Sequence, residues 1–597
     1  MLKIKQRNFI LFILLLLVLS ILLFSVINLF PIIFDDNEII NNKFEIKKGY
    51  YLSNSGNDLN NGTSPEQAWK SKIKLNKELS IDGCISDGDD IFFRRGDIFD
   101  EDVTIFFRKT DGTKYNPMII GAYGTGPDPI ISTNELAQIN FLDDETGNWI
   151  FENLNFEGGT DHIAGNNGDK YNLTIRNCTF NGKNPGKNDI YGRVLLYNVH
   201  NYTIENCIFI DSSHFLYGDG VGERANSNTR MMNCIIDGQG GDQDNIQIHA
   251  KGKDPSGNGA NHYIYNVTSY NCSANAFDIV GGFGSDNIYI KNCIAKECGN
   301  DPPIVIGHGV TNVTIENCYT DNGIYFTKSK NTIVRNSIFK QKEASLISLD
   351  DPQWDYGWGT QNLTIYHNTF ISSGTNRFIS ANVGKTDPRN LSGFTVKNNI
   401  FYSIIYSAPD NFLYYDPDGS GIWNLSTTKS NFSYNCWWRG DGDFDNIRWI
   451  DEDGKYNLTE WNSNDEVYND FAFNASLVNP TGNDFYNDFN LNANSPAIDA
   501  GNWLTYTIGE GVGTTISIQD ANYFFPGIPS LGISGDNIFI GDDTNLEIIG
   551  VDYQNNTIFI NRSITWIDGD NVSLSSYNGL APDIGAYEFV FDKSIFH

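Results

Sequence analysis

The chain has 597 residues, with 73 Asp and Glu against 41 Lys and Arg, which gives a formal net charge of -32 at pH 7. This charge disfavours a nucleic-acid partner, because two polyanions repel each other. Aromatic residues make up 13% of the chain and there are 57 glycines, a composition that favours β-structure over helix.

The N-terminus carries a long apolar segment. Lys3, Lys5 and Arg7 precede an almost unbroken apolar run over residues 9–34, and such a run can cross a hydrocarbon layer about 30 Å thick. No small-residue cleavage site follows it, so we expect an uncleaved signal anchor rather than a removed signal peptide. The basic flank predicts a single-pass cell-membrane protein with a short cytoplasmic tail and its bulk outside the cell.

Asn-x-Ser/Thr sequons are consistent with an exported, glycosylated chain. They include Asn61, Asn172, Asn201, Asn312, Asn362 and Asn474.

A short segment recurs along the chain, as "NLTIRNCTF" (172–180), "NYTIENCIF" (201–209), "NIYIKNCIA" (287–295) and "NVTIENCYT" (312–320). The Asn before Cys returns every 19 to 33 residues, a period typical of a solenoid. The aligned positions are Asn153, Asn177, Asn206, Asn233, Asn266, Asn292, Asn317, Asn336, His367 and Asn398. Alternating β-branched residues predict two or three short strands per unit, stacked as coils about 4.8 Å apart.

Stacking explains the repeated Asn and Cys without any chemistry. Asn tolerates the left-handed backbone of a tight turn, and Asn amides can pair between coils. The Cys position is occupied elsewhere by Val267 and Ser337, which indicates a small buried slot. Cys272 and Cys298 form a second column. We expect buried free thiols, with disulfides between adjacent coils as the alternative in an extracellular protein. Nine cysteines without a Cys-x-x-Cys pair argue against a zinc site.

The repeat resembles that of right-handed parallel β-helix proteins of the pectate-lyase type. The segments "YYLSNSGNDLNNGTSPEQAWKS" (50–71), "GDDIFFRRGDIF" (88–99) and "NPMIIGAYGTGPDPIIS" (116–132) resemble their opening segment and first coils, and "SPAIDAG" (495–501) and "PDIGAYEF" (582–589) resemble their closing segment. The resemblance implies an all-β, right-handed parallel β-helix. It leaves the activity open, because proteins of this fold include lyases, hydrolases and epimerases.

These patterns divide the chain into six parts. We expect a tail and anchor at 1–34, a linker at 35–49, a cap and first coils at 50–150, regular coils at 151–405, irregular late coils at 406–501, and a C-terminal β module with a closing strand at 502–597. Within the last part, residues 535–574 alternate apolar and polar side chains and predict a small antiparallel module.

A solenoid has a filled core, so a site must lie on outward-facing side chains of neighbouring coils. Aligning the second strand of each unit predicts an outward column of Gln247, Asp278, Val305, Tyr325 and Ser348. A second outward column, two residues further on, contains His249, Val280, Gly307, Thr327 and Asp350. One patch should therefore hold Gln247, His249 and Asp278, with Asp242, Asp244 and Lys251 at its edges.

The resemblance adds a chemistry to this patch. In calcium-assisted polysaccharide lyases of this fold, carboxylates bind calcium and a Lys or Arg removes the proton beside a uronate carboxyl group. The stretch "SANAFDI" (273–279) resembles part of their Asp-Asp-Gly-x-Asp motif, in which Asp278 matches the last acid and the earlier acids are replaced. The catalytic candidates are His249, Lys251 and Asp278, and the calcium candidates are Asp242, Asp244 and Asp278.

The loop "LDDPQWDYGWGTQ" (349–361) contains Trp354 and Trp358. Exposed aromatic rings stack on sugar rings, so Trp354 and Trp358 join Gln247 and Tyr325 as substrate-binding candidates; packing against an adjacent coil is the alternative. The leading hypothesis is a membrane-anchored extracellular protein that binds polysaccharide and cleaves it by calcium-assisted β-elimination. A glycoside hydrolase and a non-catalytic adhesin or envelope protein are the alternatives.

Overall fold

The computed structural model describes residues 47–589, apart from several short segments. The segments outside the description are 108–110, 114, 135–136, 143–145, 160, 166–168, 183–192, 218–225, 239–243, 252–259, 273, 283–286, 300–301, 308, 342–344, 352–359, 374–376, 384–391, 405–412, 416–428, 441–448, 452–453 and 578. The predicted anchor and most of the linker, residues 1–46, also lie outside it. Within the described residues, no helix is long and apolar enough to cross a membrane.

From Lys48 onward the chain winds into a parallel β-helix, which confirms the fold expected from the sequence. Each coil gives one strand to each of three long sheets, here called sheets 1, 2 and 3 in the order in which the chain meets them. One coil, for example, consists of Lys170–Arg176, Thr179–Asn181 and Arg193–Tyr197. The unit therefore has three strands, and the strand that the sequence analysis treats as the second belongs to sheet 3.

Sheet 1 is parallel throughout its described strands. They are Gly49–Leu52, Asp90–Arg94, Met118–Tyr123, Thr146–Glu152, Lys170–Arg176, Val199–Glu205, Ser227–Met232, Asn261–Tyr265, Asn287–Lys291, Thr311–Glu316, Lys330–Arg335, Gln361–Tyr366, Ser392–Lys397, Asn431–Ser433 and Val467–Tyr468.

The strands of sheet 2 are short, and from Asn155–Gly158 to Ile400–Ser403 each begins two residues after an aligned turn position. They are Ile98–Phe99, Ile130–Thr133, Asn155–Gly158, Thr179–Asn181, Ile208–Ile210, Ile235–Asp237, Thr268–Tyr270, Ile294–Lys296, Tyr319–Thr320, Ile338–Gln341, Thr369–Ser372, Ile400–Ser403 and Cys436–Trp438.

Sheet 3 is parallel up to its last strand, which pairs antiparallel with the one before it. Its strands are Ile105–Phe107, Ile139–Phe141, Asp161–Gly165, Arg193–Tyr197, Ser213–Tyr217, Ile246–Lys251, Phe277–Gly282, Ile304–Gly307, Ile324–Thr327, Ile347–Asp351, Ile379–Val383, Leu413–Tyr415, Trp449–Asp451 and Gly454–Tyr456.

Helices are few and short. The first, Lys72–Glu78, begins where the Ser71 side chain accepts a hydrogen bond from the Lys74 backbone, and it buries Leu75 against the first coils. The second, Leu458–Trp461, has a capping box formed by Asn457 and Glu460. Two single 3₁₀ turns are Pro65–Gln67 and Pro529–Leu531.

In the core, residues at equivalent positions of successive coils stack on one another. Phe339, Phe370, Phe401 and Trp437 occupy one interior column, with successive ring centroids 5.0, 4.9 and 4.0 Å apart and nearly parallel planes. Each of these side chains is fully buried. The spacing follows from the distance between neighbouring strands, so the repeat length of the sequence sets the packing of the core.

The Asn positions of the repeat adopt the left-handed conformation predicted for them. All ten aligned residues, including His367, have φ between 50° and 57°. Two amide pairs link neighbouring coils at this column, Asn266 to Asn233 at 2.8 Å and Asn317 to Asn292 at 2.7 Å. The repeated Asn is therefore a structural requirement of the turn between sheets 1 and 2.

A second Asn ladder, which the sequence analysis did not assign, runs along the start of sheet 1. The side-chain amides of Asn172, Asn201 and Asn362 donate to the Asn one coil earlier, at 2.8, 3.1 and 3.0 Å. These three residues are also sequon positions. The side-chain nitrogen atoms of these asparagines therefore already donate hydrogen bonds between neighbouring coils.

The cysteine column is buried, as predicted. Cys178, Cys207, Cys234, Cys293 and Cys318 are free thiols with exposures of at most 1%. Cys272 and Cys298 instead form a disulfide between adjacent coils, the alternative that the sequence analysis left open.

The C-terminal module is an antiparallel six-stranded sheet. In spatial order its strands are Thr505–Tyr506, Asn571–Leu574, Asn537–Ile540, Asp543–Asp552, Thr557–Trp566 and Gly511–Ser517. The expected antiparallel module is therefore present, but it begins about thirty residues before position 535, because the two earliest strands also pair into it.

The expected closing strand at 582–589 is wrong, since these residues form no strand. The segment instead lies against the coils beside sheet 2, where individual backbone N–H groups donate hydrogen bonds to them. Gly585 donates to the Asn398 carbonyl at 2.9 Å, and the Ala586 backbone donates to the Thr369 hydroxyl at 3.0 Å. Ile584 is fully buried there. Its apolar residues fill the surface of sheet 2 without extending a ladder.

Candidate functional site

The outward column predicted for sheet 3 has the expected register. Gln247 pairs with Asp278, Asp278 with Val305, Val305 with Tyr325, and Tyr325 with Ser348. Their inward neighbours Ile246, Ile248, Phe277 and Ile279 are at most 2% exposed. The period of two along each strand, together with the parallel stacking, thus brings these polar side chains to one face.

Three of the predicted residues meet at the centre of the patch. Gln247 Nε2 donates to Asp278 Oδ2 at 2.6 Å and to Asp244 Oδ2 at 3.2 Å. The backbone N–H of Asn275 donates to Asp244 Oδ1 at 3.0 Å, which fixes that carboxyl group beside the next coil. We call Asp244, Gln247 and Asp278 the acid patch.

The two carboxyl groups of the acid patch lie close together, because both accept a hydrogen bond from the same Gln247 nitrogen. Asp278 is only 9% exposed. Burial raises the pKa of Asp278 above its usual 3.8 and outweighs the hydrogen bonds from Gln247 and Asp244, which lower it. Asp278 therefore keeps its proton to a higher pH than an isolated aspartate would.

The structure describes only some of the other candidate site residues predicted from the sequence. His249 pairs with Val280 and Lys251 with Gly282 on the strands that carry Gln247 and Asp278, so both positions lie further along the same strand pair. Tyr325 is half-buried and lies two coils beyond Asp278 in the column. Asp242, Trp354 and Trp358 lie outside the described residues.

The expected calcium site is described only in part, because Asp242 lies outside the described residues. Among the described residues, no group of three or more His, Cys, Asp or Glu side chains is close enough to hold a metal ion. A calcium ion also prefers several ionised oxygen ligands, whereas burial raises the pKa of Asp278. We therefore derive no chemical step through calcium.

A second concave surface, which the sequence analysis missed, lies between sheet 1 and the C-terminal module. It encloses about 670 Å³. Its sheet wall carries Tyr263, Tyr265, Tyr289, Lys291, Glu316, Arg335 and Asn336, and its module wall carries Ile533, Ser534, Gly535, Asp536, Asn537, Asn545, Leu574, Ser575 and Ser576. We call it the tyrosine cleft.

A column of alternating charge on sheet 1 holds the floor of this cleft. Lys291 pairs with Glu316 at 3.1 Å, and Glu316 pairs with Arg335 at 2.7 Å. The signal was present in the repeat, because the residue before the turn Asn reads Arg, Glu, Lys and Glu in the four quoted segments. Stacking places these residues side by side, so the alternation predicts inter-coil ion pairs.

Comparisons with known proteins concern the architecture alone. No family model and no curated protein sequence matches the chain. Among solved structures, the complex of XylC with xylose has a TM-score of 0.40 and 9% identity, covering 88% of this chain and 100% of that one. The pectate lyase Pel9A has a TM-score of 0.34 and 14% identity, covering 91% and 97%.

The A-module of the mannuronan C-5 epimerase AlgE6 from Azotobacter vinelandii has a TM-score of 0.36 and 12% identity, covering 57% of this chain and 92% of that one. No residue role in the acid patch or the tyrosine cleft is taken from these proteins.

Proposed function

We propose that this protein binds a polysaccharide across the outward face of sheet 3 and hydrolyses it at the acid patch. The observation that carries the proposal is the buried Asp278 carboxyl group, which Gln247 Nε2 holds at 2.6 Å beside Asp244. A general acid must hold its proton near the working pH and release it to the departing glycosidic oxygen. A buried aspartate with a raised pKa is suited to the first requirement.

The raised pKa of Asp278 disfavours the calcium-assisted elimination expected from the sequence. That reaction needs carboxylates that stay ionised around the metal, whereas burial favours the protonated form of Asp278. In hydrolysis the proton moves from Asp278 to the glycosidic oxygen, the bond to the sugar breaks, and water supplies the hydroxyl group and restores the proton. The polymer would lie across neighbouring coils, with Gln247 positioning Asp278 and Tyr325 contacting the chain two coils away.

The test is a product analysis with the full chain. Polygalacturonate, alginate, xylan and a β-glucan would each be incubated with the protein, and new reducing ends and the ultraviolet absorbance of unsaturated uronates would be followed. We expect reducing ends without that absorbance from one polymer. Asp278→Asn and Asp244→Asn should each lower the rate by about 10² or more, the usual contribution of a general acid. Glu510→Gln, which removes an exposed carboxyl group in the C-terminal module, is the matched control and should keep the full rate.

Two results would overturn the proposal. The appearance of unsaturated uronate products would show that the reaction is elimination and not hydrolysis. The absence of any product, with polymer binding unchanged in Asp278→Asn, would favour the non-catalytic surface protein.

We also propose that the β-helix lies outside the cell, anchored by the N-terminal apolar run. The Cys272–Cys298 disulfide supports this location, because disulfides persist in oxidising compartments. Protease added to intact cells should remove the β-helix while the apolar segment stays with the membrane fraction. Protection of the whole chain until the cells are lysed would contradict the location.

A further inference from the structure

The tyrosine cleft is a concave surface that is separate from the acid patch. It lies on sheet 1 and the acid patch on sheet 3, so the two surfaces belong to different faces of the coil. Its volume, about 670 Å³, falls within the roughly 300–1,000 Å³ range of small-molecule sites. These properties distinguish it from a shallow gap between packed elements.

A stacked pair of tyrosines forms an aromatic platform on the floor of the cleft. The rings of Tyr263 and Tyr265 are stacked with centroids 5.6 Å apart and planes 21° apart. Both side chains are only partly buried. A partly exposed aromatic platform with hydroxyl groups at its edge offers an apolar face and polar rim together, as a sugar ring requires.

The platform is held rigidly. Tyr289 packs on Tyr263 at 5.7 Å and on Phe525 of the module at 4.4 Å, and its hydroxyl donates to Glu316 at 2.5 Å. Arg335 bridges Glu316 and Asp536 and so fixes the two walls of the cleft together. A preformed site loses little conformational entropy when its ligand binds.

The charges in the cleft cancel. Lys291 and Arg335 carry two positive charges, while Glu316 and Asp536 carry two negative charges, and they are paired with one another. Among the described residues that line the cleft, no cation is left over to attract an acidic sugar, and the chain as a whole has a net charge of -32 that repels one. The remaining lining is neutral, and the module wall combines polar Ser534, Asn537 and Ser575 with apolar Ile533 and Leu574.

We propose that the tyrosine cleft is a second, non-catalytic binding site for a short neutral oligosaccharide, whose rings stack on Tyr263 and Tyr265 and whose hydroxyl groups bond to the polar module wall. This site would hold a neutral portion of a glycan while the acid patch acts on another face. It does not depend on the hydrolytic activity.

The test is calorimetric titration of the full chain with cellotriose, xylotriose, maltotriose and, as the acidic probe, trigalacturonate. We expect saturable binding of at least one neutral trisaccharide. Tyr265→Ala should weaken it by about tenfold or more, because it removes the stacking face. Tyr265→Phe keeps the ring and should retain most of the affinity. Tyr468→Ala, which removes a 66% exposed tyrosine of sheet 1 outside the cleft, should leave it unchanged.

Two further variants separate this site from the acid patch and from a folding defect. Asp278→Asn should leave trisaccharide binding unchanged, whatever it does to hydrolysis. Ser575→Trp fills the cleft from the opposite wall and should block binding even if Tyr265→Ala proves unstable. The proposal would be overturned if no neutral trisaccharide binds, if Ser575→Trp binds as well as the native protein, or if trigalacturonate binds more tightly than the neutral probes.

Discussion

Arg335 of sheet 1 and Asp536 of the C-terminal module form a bidentate ion pair, with distances of 2.7 and 2.5 Å between their nitrogen and oxygen atoms. Both side chains are almost completely buried, at 2% and 6% exposure. Asp536 also accepts a hydrogen bond from the Phe525 backbone at 2.8 Å. The pair therefore fixes the module on the β-helix and sets the width of the tyrosine cleft.

Removing the arginine should loosen this junction. Arg335→Ala leaves Asp536 as a buried charge without its ion-pair partner and leaves Glu316 paired with Lys291 alone, and breaking such a buried pair costs about 3–5 kcal/mol. Urea unfolding should show that loss. Arg562→Ala is the control, because Arg562 pairs with Asp543 at an exposed site, 47% and 37% exposed, where a pair contributes about 1 kcal/mol or less. Equal losses in the two variants would contradict the role given to Arg335.

The stability of the protein should depend on pH through Glu316. Burial alone would raise the pKa of Glu316, but the charges of Arg335 and Lys291, with hydrogen bonds from Tyr289 and Arg335, lower it from 4.5 to about 2. Because the folded pKa lies below the unfolded one, this stabilisation is complete above pH 4.5 and is lost as pH falls toward 2. It amounts to about 3 kcal/mol.

Urea unfolding at a series of pH values measures this dependence. Glu316→Gln should be less stable than the native protein at pH 7, and the difference should shrink as pH falls below 4.5. A difference that stays constant down to pH 2.5 would mean that Glu316 titrates normally in the folded protein.

The cysteines should react according to their burial. Among the free cysteines, Cys84 is exposed, while the five column cysteines and Cys436 are buried. Burial also raises the pKa of Cys207 and Cys293, so their thiolate forms are scarce. Alkylation of the native protein followed by mass spectrometry should label Cys84 alone, and the others only in denaturant. Native labelling of Cys207 would contradict the stacked column.

The turn asparagines should be replaceable by glycine but not by alanine. Asn317 has φ of 52° and donates to Asn292 at 2.7 Å. Asn317→Ala loses this bond and forces alanine into the left-handed region, at a combined cost of about 2 kcal/mol. Asn317→Gly loses the bond but keeps the conformation, so it should cost less. Thermal unfolding of the two variants measures the difference, and a glycine variant that is the less stable one would refute the argument.

The repeat allowed the coil architecture to be predicted because each coil copies its neighbour. Asn177, Asn206 and Asn317 recur at one turn, and the same alignment predicted that Gln247 and Asp278 would be adjacent. Local spacing is sufficient for such features, since the contacts lie one coil apart.

Features that depend on distant, unrepeated residues were missed. Arg335 meets Asp536 across 201 positions of sequence, and nothing in either segment indicates the other. The tyrosine cleft depends on that contact, so it could not be predicted from the sequence either. Residues 582–589 resemble a strand locally, but the surface they cover has no free ladder position for them, and packing decides their conformation.

The proposed role of the acid patch requires that burial keeps the proton on the Asp278 carboxyl group to a higher pH than usual. Isotope-edited infrared titration of the full chain, with Asp278→Asn used to assign the signal, measures this directly. We predict that Asp278 titrates above its usual pKa of 3.8, and that Asp244→Asn alters its midpoint. A midpoint at or below 3.8, unaffected by Asp244→Asn, would contradict the claim.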